Sequence, residues 1–288
     1  MERNLRAHQK TIGRSFTLEG FGVHSGKAAT VRFSPADADS GILFRRSDVK
    51  ASPWLRAHVA EIGATDLCTA LGPTEFRINT IEHLMAAVAA LGLDNLKIEV
   101  DGPEIPILDG TSAQFLQGLD AAGVVEQPAK KRFIKIRKPV RVEGKNAWAE
   151  FTPHETMRFE IGIEFDSPLI GQQKYAQDLD EERFRKEIST ARTFGFMKDV
   201  ESLWAAGLAL GSSLENSIVI ADDHSVINPA GLRFKDEFVR HKTLDAIGDT
   251  ALAGMPFIGC FRSWRGGHRL NSEAVKALLS DESNFELV

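Results

Sequence analysis

The chain has 288 residues, 43% hydrophobic and 26% charged, with 35 Lys+Arg against 40 Asp+Glu and a net charge of −5. That length corresponds to two domains or one large one, with core enough to fold without disulfides or a structural metal. The composition excludes a disordered or fibrous chain and the charge shows no global basic balance, so no nucleic-acid partner is expected.

In chain order, the first feature is glycine-rich, Gly20 to Gly26 (GFGVHSG). It lacks the Lys-Ser/Thr spacing of a P-loop and no Rossmann unit surrounds it, so it reads as a turn or bulge between strands. Residues 80–91 predict a helix, N-capped by Asn79 or Thr80 and stopped by Gly92. Every residue from Leu84 to Leu91 is apolar, which predicts burial on all sides. A strand at 95–100, a turn-rich segment at 101–110 and a helix at 112–122 follow. Residues 125–132 are polar and basic with one proline, and read as a linker. Strands are expected at 133–144, 148–153, 157–168, 216–222 and 258–264. Helices are expected at 180–190, 197–206, 236–253 and 272–280. The order suggests two similar α+β domains, 1–126 and 133–288, alike in their elements but not in their residues.

Cys68 and Cys260 make no disulfide framework and fit a reducing cytosol. The charged start, MERNLRAHQKTIGRSF, lacks the apolar region of a signal peptide, and no run approaches the roughly 20 apolar residues of a membrane span. A cytoplasmic protein is expected.

Three groups of residues carry chemistry. On the helix at 236–253, His241, Asp245 and Asp249 fall within about 80° at 100° per residue, on the side expected to face the core. Buried carboxylates need partners, and His and Asp at i, i+4 can reach one metal ion. A hydrogen-bonded helix face with a satisfied histidine fits the same spacing. Glu82 and His83 open the apolar helix, where the helix dipole alone already favours a glutamate. His83 is also suited to be a third zinc ligand, leaving an open position, with Glu82 taking a proton from water. His268 follows Gly266-Gly267, whose backbone freedom could bring it to a cleft as a general acid; a solvated loop histidine is the alternative.

Several motifs run in order along the chain: Val23-His24-Ser25-Gly26-Lys27, Thr80-Ile81-Glu82-His83-Leu84 and Glu104 to Gly110 (EIPILDG). Ala191-Arg192-Thr193-Phe194-Gly195, Phe238 to Asp249 (FVRHKTLDAIGD) and Gly267-His268 follow. Together they closely resemble the zinc-dependent UDP-3-O-acyl-N-acetylglucosamine deacetylases, which act early in lipid A biosynthesis in Gram-negative bacteria. The resemblance runs from residue 12 to about 287. It implies a layered β-α-α-β sandwich of two α+β domains, with the active site where they meet and inserts within 41–75 and 193–222.

The resemblance also implies roles. His83, His241 and Asp245 would hold one catalytic Zn2+, with Glu82 as general base and His268 as general acid. Asp249 would orient His268, and Thr193 would stabilise the oxyanion. Phe194 would pack on the sugar, and Lys242 would face the diphosphate. Arg265 and Phe165 suit the nucleotide end, and Leu67 is counted with the substrate contacts. Met197, Val200, Trp204, Ala209, Leu214 and Val219 would line an acyl passage; ordinary core packing is the alternative for these six. The expected partner is the UDP-linked, acylated sugar substrate, with at most transient membrane contact and a monomeric state. Competing functions are a zinc amidohydrolase acting on another acylated amine and a non-catalytic nucleotide-sugar binding protein.

Overall fold

The computed structural model describes residues 7–288. Its first half contains β1 (His8–Ile12), β2 (Phe16–Phe21), β3 (Ala28–Pro35), β4 (Ile42–Arg46), β5 (Leu55–Arg56), β6 (Ile62–Ala64), β7 (Ala70–Leu71), α1 (Glu82–Ala90), β8 (Leu96–Val100), α2 (Ala113–Ala122) and β9 (Val124–Lys130). Alternation sets the main sheet. β3 buries Ala29, Val31 and Phe33, and β8 buries Leu96, Ile98 and Val100, each at a period of two. These strands are adjacent in a five-stranded sheet ordered β2-β3-β8-β4-β5, in which β4 runs parallel to β8.

The second half contains β10 (Ile134–Ile136), β11 (Val140–Gly144), β12 (Ala147–Thr152), β13 (Met157–Glu164), β14 (Gln172–Asp178), α3 (Glu181–Arg183), β15 (Phe194–Phe196), α4 (Met197–Ala205), β16 (Ile218–Ile220), α5 (Glu237–Thr250), β17 (Phe257–Trp264), α6 (His268–Leu279) and β18 (Phe285–Leu287). A seven-stranded sheet is built around β17, which is antiparallel to β12 and parallel to β13 and β10. β15 and β16 form a separate parallel pair joined through α4, and β6 pairs only with β7.

Helices fill the space between the two sheets. α1 packs on α5, α5 on β13 and β14, and α6 on β11 and β12. One hydrophobic core runs through both halves, from Val31, Phe33 and Ile98 through Leu84 and Leu244 to Phe151, Phe159 and Phe261. The fold is two-domain α+β, with its helices sandwiched between sheets.

Several sequence expectations are corrected. The polar segment 125–132 is no loose linker: β9 pairs antiparallel with β1, returning the chain to its start. Neither Asn79 nor Thr80 caps α1. Its N-cap is Ile81, and the Thr80 hydroxyl donates instead to Glu104. The run 133–144 breaks into β10 and β11 around Lys138-Pro139, as a residue with no backbone N–H allows. The helix expected at 180–190 is one α-turn followed by a π-turn, Phe184–Ile188. β14 (QQKYAQD) carries no apolar alternation to reveal it. In α5 Thr243 and Thr250 are buried along with the His241 row, returning their hydroxyls to the carbonyls of Val239 and Ala246. Finally, α6 starts at His268 rather than at residue 272.

Candidate active site

The site forms where α1 meets α5. A Cβ at Gly248 would lie 2.0 Å from the Glu82 carbonyl oxygen, so only glycine permits this approach. The contact lays the first turn of α1, with buried Glu82 and His83, onto the buried row His241, Asp245 and Asp249 of α5. His83 Nε2 lies 3.6 Å and His241 Nε2 3.3 Å from Asp245 Oδ1. The two imidazoles meet edge-on, with centroids 4.9 Å apart. One donor atom from each of His83, His241 and Asp245 lies within 4.8 Å of the others. The structure therefore brings together the three residues that the spacing suggested as ligands.

Their surroundings prepare them for a cation. Burial pushes His241 down to about 4, so its imidazole is neutral at pH 7. Its Nδ1 donates to the Ala191 carbonyl at 3.1 Å, which leaves the Nε2 lone pair facing Asp245. That carbonyl is itself anchored. Glu237, in the first turn of α5, accepts from the Arg192 guanidinium at 2.9 Å and from the Arg192 backbone N–H at 3.1 Å. Burial works against the Asp245 charge but is outweighed by His241 and Lys242, which hold the carboxyl well below its ordinary range. Lys242 Nζ donates to Asp245 Oδ2 at 2.8 Å. His83 Nδ1 is a buried polar atom without a hydrogen-bond partner among the described residues. Two imidazoles and one ionised carboxylate, converging with spare donor capacity, fit a three-ligand zinc site with an open position.

Glu82 and His268 face one another beside this triad. Glu82 Oε1 lies 3.9 Å from His268 Nε2, and Glu82 Oε2 accepts the Thr69 backbone N–H at 3.1 Å. Burial raises the Glu82 pKa above its ordinary value, a direction that would suit a general base. His268 is not in a loop but opens α6, where the helix N-terminus disfavours a cation. Burial also lowers its pKa, yet Asp249 and Glu82 outweigh it and raise His268 to about 9. The His268 Nδ1–H donates to Asp249 Oδ2 at 3.0 Å. Asp249 also accepts from Thr69 Oγ1 at 2.5 Å and from Asn271 Nδ2 at 2.9 Å.

Sequence reasoning missed both of these extra donors. Asn271 stands three residues after His268 on one helix, a spacing that could have flagged it. Thr69 has no local signal. A third omission is Glu104, a buried carboxylate accepting from the backbone N–H groups of His24 and Ser25 and from the Thr80 hydroxyl. A Cβ at Gly22 would sit 2.1 Å from Glu104 Oε2, so the glycine-rich turn is shaped around this carboxylate.

The other predicted residues gather unevenly. Thr193 is half-buried, two residues beyond the carbonyl that holds His241. The Phe194 ring stands edge-on to His241 at 6.3 Å and to Phe165 at 5.6 Å. Phe165, Lys242 and Arg265 line one cavity of about 290 Å³, with Arg265 paired to Glu164 at 3.1 Å. Leu67 lies apart from that cavity lining, exposed on the strand-to-strand turn before Thr69 and in the left-handed region at φ 63°. Met197, Trp204 and Leu214 are exposed, while Val200, Ala209 and Val219 are half-buried. α4 buries no side chain, which overturns the core-packing alternative for its residues.

Paired imidazoles and a carboxylate, flanked by the buried carboxyl of Glu82 and by His268 with its raised pKa, are an arrangement suited to a metal-assisted hydrolase. The chain belongs to the LpxC family, UDP-3-O-acyl N-acetylglycosamine deacetylase, whose family model matches residues 9–280. It is 68% identical over 284 residues to proteins named UDP-3-O-acyl-N-acetylglucosamine deacetylase from Brucella ovis and Brucella canis. Those alignments cover 99% of this chain and 99% of each relative. The protein of the same name from Brucella melitensis is similar to the same extent.

Proposed function

We propose that this chain hydrolyses the N-acetyl group of UDP-3-O-[(3R)-3-hydroxyacyl]-N-acetylglucosamine, a step in lipid A biosynthesis in Gram-negative bacteria. The products are acetate and the free 2-amino sugar nucleotide. The observation that carries the reading is end-to-end membership of the deacetylase family in a chain whose His83, His241 and Asp245 converge beside Glu82 and His268. The metal is assigned as zinc, held by those three residues.

An amide is a weak electrophile with a poor leaving group. When bound, zinc supplies Lewis acidity that polarises the acetyl carbonyl and lowers the pKa of water towards ~7. Glu82 accepts a proton from the attacking water. The Thr193 hydroxyl donates to the oxygen that becomes negative as the carbonyl carbon turns tetrahedral. His268 delivers a proton from Nε2 to the amide nitrogen, the C–N bond breaks, and acetate leaves. Asp249 keeps His268 cationic and aimed until that transfer. Lys242, with Phe165 and Arg265 around their shared cavity, faces the nucleotide diphosphate, and Phe194 packs on the sugar. The α4 side chains Met197, Val200 and Trp204, with Ala209, Leu214 and Val219, meet the acyl chain, and Leu67 is counted among the other substrate contacts.

In this reading the domains 1–126 and 133–288 share the site at the α1–α5 contact. The protein works as a monomer in the cytoplasm, touching membrane only transiently; its two free, buried cysteines fit a reducing compartment. The test is acetate release by the purified, zinc-loaded protein from the 3-O-acylated substrate and from UDP-N-acetylglucosamine. Turnover of the acylated substrate with little from the unacylated one supports the assignment. Acetate release only from unrelated acylated amines would make it a general amidohydrolase, and binding without turnover would make it a nucleotide-sugar binding protein.

A further inference from the structure

Among the described residues, Thr69 hydrogen-bonds both Glu82, the proposed base, and Asp249, the carboxylate partner of the proposed acid. It lies immediately before the short β7 strand, outside the three helices that carry the site, and it is fully buried. Its backbone N–H donates to Glu82 Oε2 at 3.1 Å. Its hydroxyl donates to Asp249 Oδ1 at 2.5 Å. Its carbonyl accepts the backbone N–H of Ile81, the N-cap of α1, at 3.2 Å. All three polar groups are thus spent on the elements that build the site.

We infer that Thr69 is a positioning residue for the hydrolysis, setting the general base and the general acid in register through one side chain and one backbone N–H. The inference rests on the deacetylase reading above. A carboxylate bonded through one oxygen alone can swing about its terminal torsion, which is broad. Asp249 Oδ2 already serves His268 Nδ1 and Asn271 Nδ2. The Thr69 hydroxyl holds the other oxygen and so fixes the carboxylate plane. That plane sets the direction in which His268 Nε2 points across its 3.9 Å separation from Glu82 Oε1. The same residue's N–H fixes the far oxygen of Glu82, leaving Oε1 turned towards the gap. Base and acid thereby share one reference point on a segment that belongs to neither helix.

Thr69→Val keeps the β-branched shape and the N–H to Glu82 and removes only the hydroxyl. With acetate release followed on zinc-loaded protein, kcat is expected to fall about tenfold, within the 10–100-fold typical of losing an outer partner of a site. KM and zinc content are expected to hold, and Thr69→Ser to recover most of the rate. In an Asp249→Asn background, Thr69→Val is expected to cost less than about twofold more, because the carboxylate it acts through is already gone. Wild-type kcat in Thr69→Val, or a tenfold loss repeated in full on top of Asp249→Asn, would overturn the inference. Failure of the wild-type protein to release acetate would instead remove the deacetylase reading beneath it. A variant that melts early but keeps wild-type kcat per bound zinc would show that the hydroxyl is only structural.

Discussion

In the proposed mechanism Glu82 and His268 carry opposite proton requirements, and their surroundings set the expected limits of activity. As the proposed general base Glu82 must be a carboxylate, and burial raises its pKa above the ordinary 4.5, so activity is expected to be lost as pH falls through that raised value. As the proposed general acid His268 must be an imidazolium, so activity is expected to be lost as pH rises through about 9. A bell-shaped kcat profile between these limits is expected. In Asp249→Asn, the leading cause of the upward shift disappears while burial still opposes the charge. The alkaline limb is then expected to move to lower pH, with the acid limb much less affected; an unmoved alkaline limb in a pH–rate series would separate His268 from Asp249. Glu82→Gln should keep zinc and lose about 10²–10⁴-fold in kcat, the range for removing a general base. Near-normal turnover in that variant, measured with metal analysis, would take Glu82 out of the chemistry. The clustering of these residues was legible in the sequence, because His241, Asp245 and Asp249 repeat at helical spacing and Glu82-His83 open an apolar helix. Thr69 was not, because its partner Asp249 stands 180 residues away and a single threonine has no pattern.

At the scale of elements, the α1–α5 contact holds the candidate ligands together. Each helix brings part of the set, and Gly248 lets them close. Gly248→Ala would place a methyl 2.0 Å from the Glu82 carbonyl oxygen, against backbone that cannot swing aside. The helices must then part, at a cost of about 1–3 kcal/mol for overpacking. His83 would move away from His241 and Asp245, so zinc affinity should fall together with melting temperature. Thermal melts and zinc titration check this; unchanged zinc affinity in a destabilised variant would mean the triad tolerates the displacement. Both helices were legible from composition and period, since Leu84 to Leu91 is an unbroken apolar run. β9 and β14 were not: their polar sequences are strands because a neighbouring edge supplies hydrogen bonds, which no local pattern records. His268 likewise read as a loop residue because two glycines precede it, while the helix begins directly after them.

For the whole molecule, the core decides what the metal does not do. Hydrophobic packing runs continuously from the first sheet through the helices to the second, without relying on the triad. Chelation should therefore remove activity and leave the far-UV circular dichroism of the folded protein, unlike a small domain that a structural zinc holds together. Unfolding on chelation would give the metal a structural role. The division into two α+β halves followed from element order alone. The stacking of sheet, helices and sheet did not, because periodicity says which face is buried and not what covers it; only the family resemblance supplied that layer order. The most direct test is a titration of zinc into chelated protein while acetate release from the 3-O-acylated substrate is followed. Turnover should rise in proportion to zinc and level off at one equivalent. Full turnover without metal, or none from folded protein carrying one equivalent, would contradict the zinc-deacetylase assignment.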